Sequence, residues 1–139
     1  MKRRSIAGSA LLEFAIAWPV ALLLVLGSVQ LAVWSSEAFA ARQAAIAGAR
    51  AASGLSGSAS LAASVALTAL RPALVGVTAA PWCPGGPPPR PKVWVCVTLA
   101  PTSVEVKVSG RVPPLVPLLP LAAGLPIFAD VVLAREVFQ

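Results

Sequence analysis

Phe14-Ala15-Ile16-Ala17-Trp18-Pro19-Val20-Ala21-Leu22-Leu23-Leu24-Val25-Leu26-Gly27-Ser28-Val29-Gln30-Leu31-Ala32-Val33-Trp34-Ser35-Ser36 is a run of 23 residues without a charge. As a helix rising 1.5 Å per residue it spans about 34 Å, and the hydrocarbon core of a bilayer is about 30 Å thick. The run is long enough to cross with a modest tilt. Lys2, Arg3 and Arg4 stand before it, which predicts a cytoplasmic N-terminus and a C-terminus on the far side of the membrane. Trp18 and Trp34 lie toward its two ends, where indole rings favour the interface.

The composition of the whole chain fits that reading. Of 139 residues, 58% are hydrophobic and 12% charged, against about 45–50% and about 25% in ordinary soluble domains. A disordered charged tail is excluded, because such tails are poor in apolar residues. The formal net charge is +6, from 11 Lys and Arg against 5 Asp and Glu. There is no His, no Tyr and no Asn, and only one Asp. Most side chains used for acid–base work or metal ligation are missing. No serine lies in a G-x-S-x-G turn with a histidine partner. No catalytic residue, metal site, cofactor or small-molecule substrate is therefore expected. The basic residues are scattered, three of them in the first four positions, with no basic stripe interleaved with aromatics, so nucleic acid is not an expected partner.

Two residues in the apolar segment are unusual for a plain anchor. Pro19 removes a backbone donor and should kink or loosen the helix. Glu13 stands at the mouth of the run, and an acidic side chain at a helix centre costs about 2.5–3.5 kcal/mol on insertion scales. It is either solvated among headgroups or retained for a function. If a peptidase cuts after Gly8, Ser9 becomes the first residue and Glu13 the fifth.

That spacing resembles type IV pilin-like precursors, which carry a short basic leader ending in Gly and a Glu at the fifth position of a hydrophobic helix. Residues 5–50 resemble more specifically the TadE-like family, minor pseudopilins of the tight-adherence (Tad, or Flp-type) pilus system. The resemblance lies in Gly8-Ser9-Ala10-Leu11-Leu12-Glu13-Phe14-Ala15, in Trp18-Pro19 followed by Leu22-Leu23-Leu24-Val25-Leu26-Gly27, and in Ala41-Arg42-Gln43-Ala44-Ala45 through Gly48-Ala49-Arg50. Leu133-Ala134-Arg135-Glu136 is similar to the family's closing segment. Ser9 stands where major type IV pilins have Phe. The resemblance implies processing between Gly8 and Ser9 by a prepilin peptidase. It implies roles in assembly and register for Glu13, Phe14 and Pro19, and an inner-membrane location. It also implies other pilin-like subunits of the Tad system as partners. The carboxylate of one subunit would meet the new α-amino group of the next, since a buried unpaired charge costs several kcal/mol.

Two other fates of the N-terminus compete. Ala38-Phe39-Ala40 has the A-x-A form of a signal-peptidase site, so a cut before Ala41 would release a secreted binding module. Against this, 23 apolar residues exceed the usual 7–15, and Glu13 interrupts the passage from basic head to apolar core. An uncleaved single-span anchor is the third possibility.

Beyond the membrane the expected fold is α+β. The regions read as a leader over 1–8, a transmembrane helix over 9–36, an extracytoplasmic helical region over 37–71, and a small β-rich domain over 72–139. Ala-rich Glu37–Ala52 continues the helix. Small residues recur every fourth position at Ala41 and Ala45, and at Ala44, Gly48 and Ala52. They form a ridge that lets backbones approach closely, as between membrane helices, and the expected partner is a neighbouring subunit. Arg42 and Arg50 lie off it.

Ser53–Ser58 breaks the pattern, and a second helix is predicted over Ala59–Leu70, stopped by Arg71-Pro72. Ala73–Ala79 is rich in Val and Thr and reads as a strand, and Pro81–Pro91 as a loop. Lys92–Ala100 and Ser103–Val112 alternate, with Val93, Val95, Val97 and Leu99 opposite Trp94, Cys96 and Thr98. They predict an antiparallel hairpin turning at Pro101-Thr102. Pro113–Pro126 is an apolar, irregular connection, and Ile127–Phe138 is either a last strand or a short helix. Cys83 and Cys96 enclose 12 residues and fit no metal motif. Outside the cytoplasm they are expected to form a disulfide pinning the Pro-rich loop to the strand, with a free buried pair as the alternative.

Overall fold

The computed structural model describes residues 7–54, 56–115 and 124–135. The basic head at Lys2, Arg3 and Arg4, the middle of the Pro113–Pro126 connection and the chain after Arg135 lie outside the described residues, as do the side chains of residues 7–10. A single helix, α1 (Ala7–Ser53), carries both the apolar run and its Ala-rich continuation. The second helix, α2 (Ala59–Leu70), starts at Ser58, whose hydroxyl accepts from the Leu61 amide at 3.2 Å. A capping serine satisfies one of the donors a helix leaves unpaired at its start. A 3₁₀ turn over Arg71–Ala73 ends α2 at the predicted Arg71-Pro72 stop.

Four strands follow: β1 (Ala79–Pro81), β2 (Val93–Leu99), β3 (Ser103–Val112) and β4 (Leu125–Ala134). They lie in the order β1-β2-β3-β4. The hairpin pairs as its alternation requires, with Val95 opposite Val108 and Val97 opposite Val106. β4 adds antiparallel to β3, with Gly110 opposite Ile127. The stretch whose periodicity fitted either strand or helix is thus a strand over its described part, because β3 offers it an edge.

Three expectations are corrected. The sheet is mixed rather than antiparallel throughout, since β1 pairs parallel to β2, Ala79 opposite Val93. The Pro-rich segment between them returns the chain to the same end of the sheet, as a parallel pair demands. The strand expected over Ala73–Ala79 starts only at Ala79, because Gly76 turns the backbone with φ +69° and the Val75 amide is taken by the Glu37 carboxylate at 3.1 Å. Finally, the small-residue ridge serves this chain and not a neighbouring subunit. Ala41, Ala44, Ala45, Ala49 and Ala52 are fully buried in the chain's own core. A Cβ on Gly48 would stand 2.8 Å from the Ala62 carbonyl oxygen and 3.0 Å from the Ala66 Cβ. α2 occupies the groove that the ridge opens; Arg42 and Arg50 remain exposed.

The core joins the helical region to the sheet. The ridge, Ala62, Ala66 and Leu70 of α2, Val93 and Val95 of β2, Val104, Val106 and Val108 of β3 and Ile127 of β4 belong to one buried cluster. Removing each of its Val, Leu and Ile side chains from water contributes about 1.5–3 kcal/mol. The other face of β2 departs from the alternation, for Trp94 and Cys96 are buried too.

Candidate functional site

From Leu11 to Val29 every residue of α1 is exposed. This bare stretch of 19 residues is about 28 Å long, close to the thickness of a hydrocarbon core. A helix from Leu11 onward is long and apolar enough to cross a membrane. Gly8 and Ser9 fall in the first turn of α1, and Glu13 lies little more than a turn beyond them. The Phe14 ring stacks on that of Trp18, one turn on, with centroids 5.9 Å apart and planes at 21°. Pro19 lies inside α1, which stays helical on both sides of it. Glu13, Phe14, Trp18 and Pro19 thus share the exposed part of the helix.

At Gln30 the environment changes. The Gln30 Oε1 accepts from the Leu115 amide at 2.7 Å. One turn on, the Trp34 Nε1 donates to the Pro126 carbonyl at 2.9 Å. Next comes Glu37, 2% exposed, with the Val75 amide on its carboxylate. The three residues stand at i, i+4 and i+7, one face of a helix, and Ala41, Ala44, Gly48 and Ala52 extend that face to the end of α1. Three polar clamps followed by a smooth seam hold the globular part of the chain to its helix. None of the three was picked out as a clamp from the sequence: Trp34 read as an interfacial ring, and Gln30 and Glu37 as unremarked neighbours. Their spacing was the available signal, since they are the long polar or indole side chains on the face that the alanines continue.

On the far side of the sheet Cys83 and Cys96 are joined in a disulfide, Cα atoms 4.7 Å apart. Beside it Trp82 meets Trp94 edge-on at 5.7 Å, and the Arg90 guanidinium lies 5.4 Å from the Trp82 ring and 5.9 Å from that of Trp94. The Trp82 Nε1 donates to the Pro87 carbonyl at 3.1 Å. The loop therefore folds over β2 and buries its second face. Among the described residues no group of three or more His, Cys, Asp or Glu side chains is placed to hold a metal ion.

Residues 8–52 match the family described as TadE-like protein. The TadE-like segment coincides with α1 nearly end to end, taking in the bare stretch, the three clamps and the seam. α2 and the sheet lie outside it. No curated protein and no solved structure gives a match to the chain. The TadE-like segment and the long apolar helix together support a membrane protein associated with the Tad pilus.

Proposed function

We propose that this chain is a minor pilin-like subunit of a tight-adherence pilus, taking part in its assembly or initiation. It sits in the inner membrane with its N-terminus cytoplasmic and is cut after Gly8 by a prepilin peptidase. The observation that carries the reading is the coincidence of the TadE-like match with α1, whose bare stretch carries Glu13 five residues past Gly8. A carboxylate at the border of an apolar helix can receive a cation from a neighbouring subunit. The α-amino group of Ser9 on the next subunit supplies one once the leader is gone. Pairing only in the correct axial register gives the growing filament its stagger. Phe14, stacked on Trp18, and Pro19 flank that group on the surface that neighbouring spans would share. The role is structural, and it needs no cofactor and no substrate.

The buried half of α1 weighs against release before Ala41. That cut would fall inside the helix and discard Gln30, Trp34 and Glu37, which hold Leu115, Pro126 and Val75.

N-terminal sequencing of the mature protein tests the proposal. Ser9 is the expected first residue; Ala41 or Met1 would overturn it. Replacing Gly8 should block trimming, and replacing Glu13 should block assembly while trimming proceeds. Unaltered pili after both changes would remove Glu13 from the mechanism.

A further inference from the structure

The end of the sheet nearest the bare stretch of α1 is strongly cationic. β4 runs outward alongside α1: Pro126 is bound by Trp34, and Arg135 reaches the Gly57 carbonyl beyond the helix end at 3.5 Å. The end of β4 at Leu125, of β3 at Val112 and of β2 at Val93 therefore lie together beside residues 30–34. There Arg111 stands opposite Pro126 in the ladder, its amide donates to the Lys92 carbonyl at 2.9 Å, and Arg90 and Lys92 line the same hollow as Arg111. All three side chains are exposed. Among the described residues the carboxylate at this end is that of Glu37, which is buried; Glu105 and Asp130 stand further along the strands and flank Lys107. Leu115, 45% exposed, follows Pro114 of the same hollow and has its amide on Gln30.

The height of this collar fixes its neighbour. Gln30 is the first residue past the bare stretch, and Trp34 lies about 6 Å further along the axis. With residues 11–29 filling the hydrocarbon, that interval is the headgroup layer, about 5–7 Å deep on each side. We infer that Arg90, Lys92 and Arg111 bind the phosphates of anionic phospholipid headgroups in the membrane that α1 crosses, with Leu115 dipping beside them. Guanidinium groups suit phosphate oxygens, and long basic side chains reach along an interface while their stems stay in apolar surroundings. The collar would seat the head on the bilayer and set the depth of the span. It rests on α1 crossing the membrane and not on the pilin role. It also leaves the predicted orientation intact, because insertion weighs charges close to the span in sequence, and these lie far along the chain.

Lysine footprinting of the full chain in lipid nanodiscs tests this, one copy per disc. Lys92 belongs to the collar, while Lys107 is in the middle of β3 and serves as the internal reference. In discs containing phosphatidylglycerol the ratio of Lys92 to Lys107 acetylation should fall about fivefold relative to pure phosphatidylcholine. It should recover in about 1 M salt, where screening acts within about 3 Å. The Arg90→Gln/Arg111→Gln variant should restore Lys92 labelling. Arg90→Gln alone, which leaves β3 intact, is the second variant in case the first does not fold.

An equal ratio in both lipids overturns the inference. So does a fall that survives both variants, one that inorganic phosphate alone reproduces in phosphatidylcholine, or one confined to discs holding two copies. Loss of the protein from both lipids on alkaline washing would remove the span itself, and this inference with it. Equal labelling with the span retained removes this inference alone.

Discussion

The two halves of α1 are built from the same few residue types and behave in opposite ways. Residues 11–29 are mostly Leu, Val and Ala and all exposed; residues 30–52 are richer in Ala and carry one enclosed face. Apolar character does not pick out the half that carries the fold, since the bare half is the more apolar. Shape does. Leu22, Leu23 and Leu24 make a bulky all-round surface suited to lipid, whereas Ala41, Ala45 and Gly48 make a flat strip onto which a second helix can be laid. Hydrophobicity decides which half enters a membrane, and side-chain size decides which half carries a fold.

Glycine gives the sharpest way to break that contrast. Gly27 has open space where a Cβ would go, while Gly48 has the Ala62 carbonyl. Gly48→Val should cost the head about 3 kcal/mol or more through overpacking, read by urea unfolding in detergent with near-UV circular dichroism. Even Gly48→Ala should destabilise, although alanine gains about 1 kcal/mol in helix propensity. Gly27→Ala should leave the head unchanged, and an equal response at both sites would erase the distinction.

Next in size is the disulfide. Replacing Cys83 and Cys96 by Ser should lower stability by about 3 kcal/mol at most in the chain-entropy picture. Proteolysis should then begin in the loop of residues 82–92 rather than in α1. Trp34→Phe keeps the ring and loses the bond to Pro126, for about 1 kcal/mol, and faster amide exchange at the start of β4 should report it.

Lys107 gives the smallest effect, on the surface that α1 does not touch. Its hydrogen bond to Glu105, with Asp130 beyond, holds the amine above its ordinary 10.5. A raised lysine contributes fully below the unfolded value and loses its contribution as pH rises through the folded one. Lys107→Met should therefore lower the melting temperature slightly at neutral pH, with the difference from wild type closing above pH 10.5.

Much of this was legible from local pattern. A charge-free run of 23 residues, the alternation of Val93–Leu99 and Val104–Val108, and Arg71-Pro72 after an Ala-rich stretch each place an element, because the physics acts within a few residues. What was misread depends on distant partners. The ridge announces a close contact but not with whom, so its occupant, α2, was mistaken for another subunit. Trp34 fits an interface as well as a clamp, and only the nearness of Pro126 in space decides. Burial of Trp94 and Cys96 on the second face of β2 comes from a loop that returns across it. The parallel pairing of β1 depends on the same return. For the candidate site, Glu13 and Pro19 stand out as residues foreign to an apolar run and Gly8 by its spacing from Glu13, whereas Glu37 does not, since a buried carboxylate reveals itself only with its amide in place.

Because α1 passes from lipid into the head without a break, the span and the sheet turn as one body. Each residue of helix advances the azimuth by about 100°, so the direction in which the sheet faces is keyed to the side on which Glu13 emerges. A single residue inserted between Pro19 and Val29 would swing one against the other by more than a quarter circle, leaving both intact and aimed at the wrong neighbours.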